Sequence, residues 1–256
     1  MLLALLVACR HVPTEAGATC APAPDAADAT ATALAGGPVS AKFTIHIERG
    51  DQTINAQGAL LISPPSALRL EVSGPVGPPQ LVVTSDGTRT AVWQAGARTL
   101  YEANDAPGLL GLLTGGAIGP EAITAVLLAR VPALPPSAIS NLAGTTWTLP
   151  EGGPLVEIGA SCTNPDWLNA LTVRRADRPA LLDVHGVTAK GRWQTLSFGI
   201  APLNLRADLV FDTWKPATPG SSAFDLRAPP NATVIDLGQM LALIPSGTTT
   251  PAPAPP

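Results

Sequence analysis

The chain has 256 residues, 46% of them hydrophobic but only 4% aromatic and 13% charged, with 28 prolines and 24 glycines. That length suits one large β domain or two small domains, and the charged share lies well below the roughly 25% of ordinary soluble domains. A net charge of −4 and the lack of a basic patch exclude a nucleic-acid backbone as partner, the densest basic cluster, Arg174-Arg175 with Arg178, being the solvated end of a strand.

Residues 1–9, MLLALLVAC, end in Leu6-Val7-Ala8-Cys9, which resembles the lipobox of bacterial lipoproteins. The resemblance implies a signal peptide cut before Cys9 and a lipid on its thiol. No Lys or Arg precedes this short run, so it also fits a chain whose true start lies upstream of Met1, or an ordinary apolar N-terminus. Residues 10–38 are rich in Ala, Pro, Thr and Asp and too poor in large apolar side chains to pack, which predicts a disordered linker. An anchor followed by an arm holds a globular body near a membrane. With Cys9 lipidated, Cys20 and Cys162 remain, and in an oxidising periplasm they either pair or stay as free thiols. His11, His46 and His185 stand apart from one another and from the cysteines, so no metal or other cofactor is expected.

The folded body is expected from Ala41. Phe43, Ile45 and Ile47 alternate with Thr44, His46 and Glu48, the period of a half-buried strand, and Arg49-Gly50-Asp51 turns it. A second strand spans residues 53–62. Leu68-Arg69-Leu70-Glu71-Val72 alternates strictly, with one face for a core and one for water. Residues 74–79 then hold three prolines and two glycines, which break the ladder and project a stiff loop around an apolar Val76. Residues 79–85 and 89–94 form a hairpin about Asp86-Gly87, and 98–102 adds another strand.

The period changes after Pro107. Leu109, Leu110, Leu112 and Leu113 have helical spacing among glycines, and Gly119-Pro120-Glu121 starts a second helix with Ile123, Val126 and Leu127 on its apolar face. Val131-Pro132 stops it. A helix of about ten residues is too short to stand alone, so it must lie against the sheet. Strand signals return weakly at 147–149 and 155–158, then strongly at 167–175, 180–187, 192–198 and 203–211, with short apolar pieces at 224–226 and 234–237. Residues 246–256 are a Thr/Pro/Ala-rich tail expected to be disordered.

These elements predict a mainly β fold, an unclosed antiparallel β-barrel of about ten or eleven strands with a short helical lid or plug in its concave side. Such a barrel encloses an apolar cavity. Its expected lining is Leu68, Leu70, Val72, Leu81, Val83, Leu109, Leu110, Leu113, Ile123, Val126 and Leu127, with Trp93 at the mouth. The remaining tryptophans, Trp147, Trp167, Trp193 and Trp214, are expected to pack core or rim. Asp183 and His185 share a strand face, but no nearby serine or cysteine in the sequence completes a triad, and no nucleophile elbow or phosphate loop is present. The expectation is a protein that is not an enzyme.

Ala67-Leu68-Arg69-Leu70-Glu71-Val72-Ser73-Gly74-Pro75-Val76-Gly77, Leu81-Val82-Val83, the leucine-rich pieces ending at Val131-Pro132 and the closing segment 224–235 resemble the LolA/LolB family of lipoprotein carriers and receptors. The resemblance spans most of residues 41–237. It implies an unclosed barrel with a helical lid and a cavity for the acyl chains of lipoproteins. In the LolB branch it further implies a lipid-anchored receptor on the periplasmic face of the outer membrane, supplied by a LolA-like periplasmic carrier. A protruding apolar residue of that branch, in a Pro-Leu-Gly loop, helps deliver cargo to the membrane. It maps onto Val76 in Pro75-Val76-Gly77, where valine stands in for leucine and is worth at most ~1.5–3 kcal/mol when buried. The competing expectation is a tethered structural lipoprotein that scaffolds an envelope complex, which requires a filled core.

Overall fold

The computed structural model describes residues 36–74, 76–104, 118–132, 139–140, 146–148, 154–160, 167–174 and 180–242. The lipobox with Cys9, most of the linker, Cys20 and Cys162, Pro75, the leucines Leu109, Leu110 and Leu113, and the tail from 246 lie outside them.

The sheet grows from its first hairpin. In β1 (Val39–Arg49), Ala41, Phe43 and Ile45 are buried while Lys42 and Thr44 between them are exposed, as a pleat with one dry face requires. β2 (Gln52–Ser63) pairs with β1 along its whole length, from Val39 opposite Ile62 to Arg49 opposite Gln52. β3 (Ala67–Ser73), β4 (Pro79–Ser85), β5 (Arg89–Gln94) and β6 (Thr99–Asn104) continue outward as an antiparallel meander. The β4–β5 turn is tied by Asp86, whose Oδ1 accepts from the Thr88 and Arg89 amides and the Thr88 hydroxyl, each at 2.8 Å. The bond from the Arg89 amide is the main reason its carboxyl sits below its ordinary pKa.

On its other edge β1 pairs with β13 (Leu205–Pro216). β12 (Arg192–Ile200), β11 (Ala180–Ala189), β10 (Leu168–Arg174), β9 (Leu155–Ala160), β8 (Thr146–Thr148) and β7 (Ile139–Ser140) follow in reverse order. β14 (Thr233–Asp236) lies parallel to β6. Among the described residues the result is one unclosed sheet of fourteen strands, with β14 and β7 at its edges. The architecture expected from the sequence holds, but the strand count is higher and one pair is parallel.

The parallel pair has a physical cause. Between β13 and β14 the chain crosses the outer face of β3–β6 as a strap. Arg69 Nη1 donates to the Ala223 carbonyl (3.1 Å), Arg89 Nη2 to Leu226 (2.9 Å) and Arg98 Nη2 to Pro230 (3.1 Å). Arg89 also pairs with Glu102 and Asp225. On the same face Val82, Thr84, Ala91 and Leu100 are buried. The apolar piece at 224–226 is therefore strap, not strand. Its Leu226 carbonyl, like those of Ala223 and Pro230 to either side, accepts from an arginine and not from a neighbouring strand.

Among the described residues two α-helices pack against this sheet. α1 (Pro120–Leu127) lies in the hollow of the sheet, where Ala122 and Val126 join one buried cluster with Phe43, Leu60, Leu171, Leu182 and Leu196. α2 (Leu237–Ala242) turns back onto the inner face of β5 and β6, where Leu237 packs with Val92 and Ala103.

Close packing at the centre depends on Gly58. A Cβ there would lie 2.2 Å from the Phe43 ring and 2.8 Å from the Glu71 carbonyl oxygen, so only a bare backbone lets that ring lie flat across β2. Gly58→Ala should cost about 1–3 kcal/mol by overpacking. Urea unfolding reads this as a lower midpoint with an unchanged slope. An unaltered midpoint would contradict the packing described.

Candidate functional site

Strand periodicity turns alternate side chains of both halves of the sheet into the same hollow. β3 presents Leu68 and Leu70, β4 Val83 and Ser85, and β5 Thr90. From the other half come Leu171 on β10, Leu182 and Val184 on β11, Leu196, Phe198 and Ile200 on β12, and Leu209 on β13. Side chains from both halves can line one space only if the sheet curls strongly between them. Ile118, Pro120, Ile123, Val126 and Leu127 form the roof.

These walls enclose a cavity of about 220 Å³. Among the described residues no charged side chain lines it, and Ser85 and Thr90 are the polar ones. Both are buried, and the Ser85 Oγ is occupied by the Gly87 amide at 3.2 Å. A single water needs only ~10–15 Å³ but also two or more polar partners. The space is thus roomy enough for water and chemically unsuited to it. Its walls match hydrocarbon in chemistry, since apolar area is favourable to bury at roughly 25 cal/mol per Å².

Of the residues singled out in the sequence, Leu68, Leu70 and Val83 on the strands and Ile123, Val126 and Leu127 on α1 lie along this cavity. Val72 and Leu81 share that face but pack into the neighbouring core. Trp93 does not. The register sets it opposite Val82 and Leu100 on the strap side, and sets Val92 opposite Val83 on the inner side. A one-residue difference on a strand changes the face. The β10–β13 half of the lining was not assigned from the sequence. Its alternation is visible at Leu182 and Val184 and at Leu196, Phe198 and Ile200, but nothing local says that these face β3.

The β3–β4 loop carries Val76, which is 91% exposed, followed by Gly77 at φ 109° and Pro78. It is the most exposed large apolar side chain among the described residues.

On the outer face Asp183 and His185 do meet, with His185 Nδ1 3.3 Å from Asp183 Oδ2, while Asp183 Oδ1 accepts from Thr172 Oγ1 at 2.9 Å. Ser197 stands opposite His185 in the β11–β12 register. Its hydroxyl, however, donates to the Asp208 carboxylate, so its proton is committed to an acid and not to an imidazole base. No cluster of three or more His, Cys, Asp or Glu suited to a metal occurs among the described residues. Nor is any helix among them long and apolar enough to cross a membrane.

No family model and no curated protein matches the sequence. Solved structures do match the fold. A DUF1329 family protein from Desulfovibrio piger superposes with a TM-score of 0.51 at 8% identity, over 81% of this chain and 98% of that one. The two chains share a fold. A LolA superfamily protein from Nitrosomonas europaea superposes with a TM-score of 0.49 at 11% identity, over 80% of this chain and 99% of that one. For an outer membrane lipoprotein-sorting protein domain from Vibrio parahaemolyticus the values are 0.48 and 8%, over 78% and 94%. The unclosed sheet with a helix in its hollow is also the architecture that the LolA/LolB resemblance implies.

The outer face carries one tuned histidine. His46 Nδ1–H donates to Asn55 Oδ1 at 2.8 Å, and its Nε2 lies 3.3 Å from Glu48 Oε1. Both ring nitrogens face acceptors, so the protonated ring is favoured and its pKa rises above 6.5, chiefly through Asn55 and next through Glu48. The stability this confers is complete below the ordinary histidine value and is lost as pH rises through the raised one. An NMR titration should place the His46 midpoint above 6.5, and Asn55→Ala should lower it. A wild-type midpoint at or below that value would refute the assignment.

Proposed function

We propose that this protein is a binder of acyl chains, those of lipoproteins in particular, which it holds beneath α1 and helps insert in the outer membrane. The observation that carries the reading is the cavity of about 220 Å³, walled almost wholly by hydrocarbon from both halves of the sheet and roofed by a short helix. A chain with only 4% aromatic residues leaves this space to a ligand instead of filling it with its own rings. The exposed Val76 supports a delivery role for the β3–β4 loop. Lipid on Cys9 would keep the body at the periplasmic face of the membrane, and an acylated lipoprotein handed over by a LolA-like carrier is the natural cargo. On this reading the protein binds and releases and carries out no chemical step. The scaffold alternative needs a filled core, and the open hollow weighs against it.

Native mass spectrometry of the full chain mixed with palmitate or a diacylated lipopeptide should show one-to-one adducts. Val83→Phe, which puts a ring into the hollow, should weaken binding by about tenfold, equivalent to ~1.4 kcal/mol. Persistent absence of adducts with the wild type would end the proposal.

Val76→Glu should leave those adducts intact while slowing transfer of the lipopeptide to liposomes several-fold. Unchanged transfer would remove the loop from the mechanism.

A further inference from the structure

Among the described residues that line the cavity, two carry hydroxyls and the rest hydrocarbon. β4 and β5 pair antiparallel with Ser85 directly opposite Thr90, and on the other side of β4 Ser85 faces Leu68. The two hydroxyl residues therefore share one cross-strand row at the end of the hollow nearest the Asp86-Gly87 turn. The next row inward on the same face, Leu70, Val83 and Val92, is apolar. Strand alternation fixes which way each side chain goes. Arg89 turns outward to Glu102, Asp225 and the Leu226 carbonyl, so Thr90 after it turns inward.

Ser85 is 4% exposed and Thr90 6%, and both border the cavity. Ser85 Oγ accepts from the Gly87 amide at 3.2 Å, which uses a lone pair and leaves its proton uncommitted. No acceptor for that proton occurs among the described residues, and Thr90 Oγ1 has no hydrogen-bond partner among them. Thr124, the buried threonine of α1, instead directs its hydroxyl to the Pro120 carbonyl at 3.0 Å. Two buried donors without acceptors are costly on their own, and a ligand that supplies the acceptor removes that cost.

Directly opposite side chains on paired strands have Cβ atoms about 4.5–5.5 Å apart, close enough for both hydroxyls to reach one atom. A carbonyl oxygen has two lone pairs and can take both donors. A water would also have to place its own hydrogens among hydrocarbon, which a carbonyl does not. An ionised carboxylate fits poorly, because among the described residues no cation lines the cavity and a bare charge is costly to bury. We propose that Ser85 and Thr90 are the polar end of the acyl site and donate both protons to one neutral acyl carbonyl, that of an ester- or amide-linked chain. The tail then runs inward along Leu70 and Val83. This rests on the cavity being the acyl site and adds what that site selects, an acyl group over a plain hydrocarbon of similar length.

Isotope-edited infrared spectroscopy tests this on the full chain loaded with methyl palmitate labelled at its carbonyl carbon. In the wild type the ester stretch should lie below its frequency in hexane, because a hydrogen bond to the oxygen weakens the C=O bond. Thr90→Val, which keeps the shape and removes the hydroxyl, should move the band back toward the hexane position. Adding Ser85→Ala should bring it there, and Thr90→Ser should keep the wild-type band. A merely structural role for the threonine would not move the ligand's own vibration. In competition with heptadecane, Thr90→Val should lower the preference for the ester by about 2–10-fold, as one net hydrogen bond allows. Ser85→Ala also removes the acceptor of the Gly87 amide, so Thr90→Val by itself decides if the double variant fails to fold. A wild-type band at the hexane frequency, or one that Thr90→Val leaves unmoved, would overturn the donor pair while the acyl site stands. Uptake of neither ester nor alkane by the wild type would instead overturn the acyl-binding reading, and the donor pair with it.

Discussion

The pairing of β1 with β13 is the contact on which the rest depends. β1 lies between β2, its neighbour in sequence, and β13, which is between 156 residues away, at Arg49 opposite Leu205, and 177 away, at Val39 opposite Pro216. That long-range ladder joins two meanders into one sheet. The bulge at Lys42–Phe43 bends it, and Phe43 and Phe211 meet across it edge to face, ring centres 5.7 Å apart. Without it the leucines of β3 and those of β11 and β12 would belong to two open sheets with no common hollow.

What lies in that hollow is a balance between filling and leaving space. Protein interiors pack about as densely as organic crystals, and an empty apolar cavity forfeits dispersion contacts along its whole lining. This chain keeps such a space although Trp193, Phe43 and Leu60 show that it can pack side chains to complete burial nearby. The lining departs from the dense packing of the adjacent core at the place where both halves of the sheet and α1 converge. A ligand made of hydrocarbon would restore those contacts, and on that ground the cavity supports the acyl-binding proposal.

The outer face solves the opposite problem. A sheet curled around an apolar hollow still has a convex side, and on β3–β6 that side carries Val82, Ala91 and Leu100. The strap covers them, and three arginines hold it through its backbone carbonyls. Side-chain donors to main-chain acceptors suit a segment rich in proline, which has fewer amides to offer a ladder. The same crossing carries the chain to the free edge of β6, where β14 pairs parallel and α2 folds Leu237 onto the inner face. The strap thus ties the convex and concave sides of one half of the sheet together.

Much of this was legible in the residues. Alternation in Phe43–Ile47 and Leu68–Val72 located strands and their apolar faces, because a strand's period of two is a local property. Asp86-Gly87 located a hairpin, Gly119-Pro120-Glu121 a helix start, and Val76 between glycines and prolines an exposed apolar tip, all within a few residues of chain. The face of Trp93, the cavity wall on β10–β13 and the strap at 224–226 were not legible. Each depends on which strand lies beside which, and that is decided by pairings between residues far apart in sequence, whose reward appears only once the sheet has closed around its core.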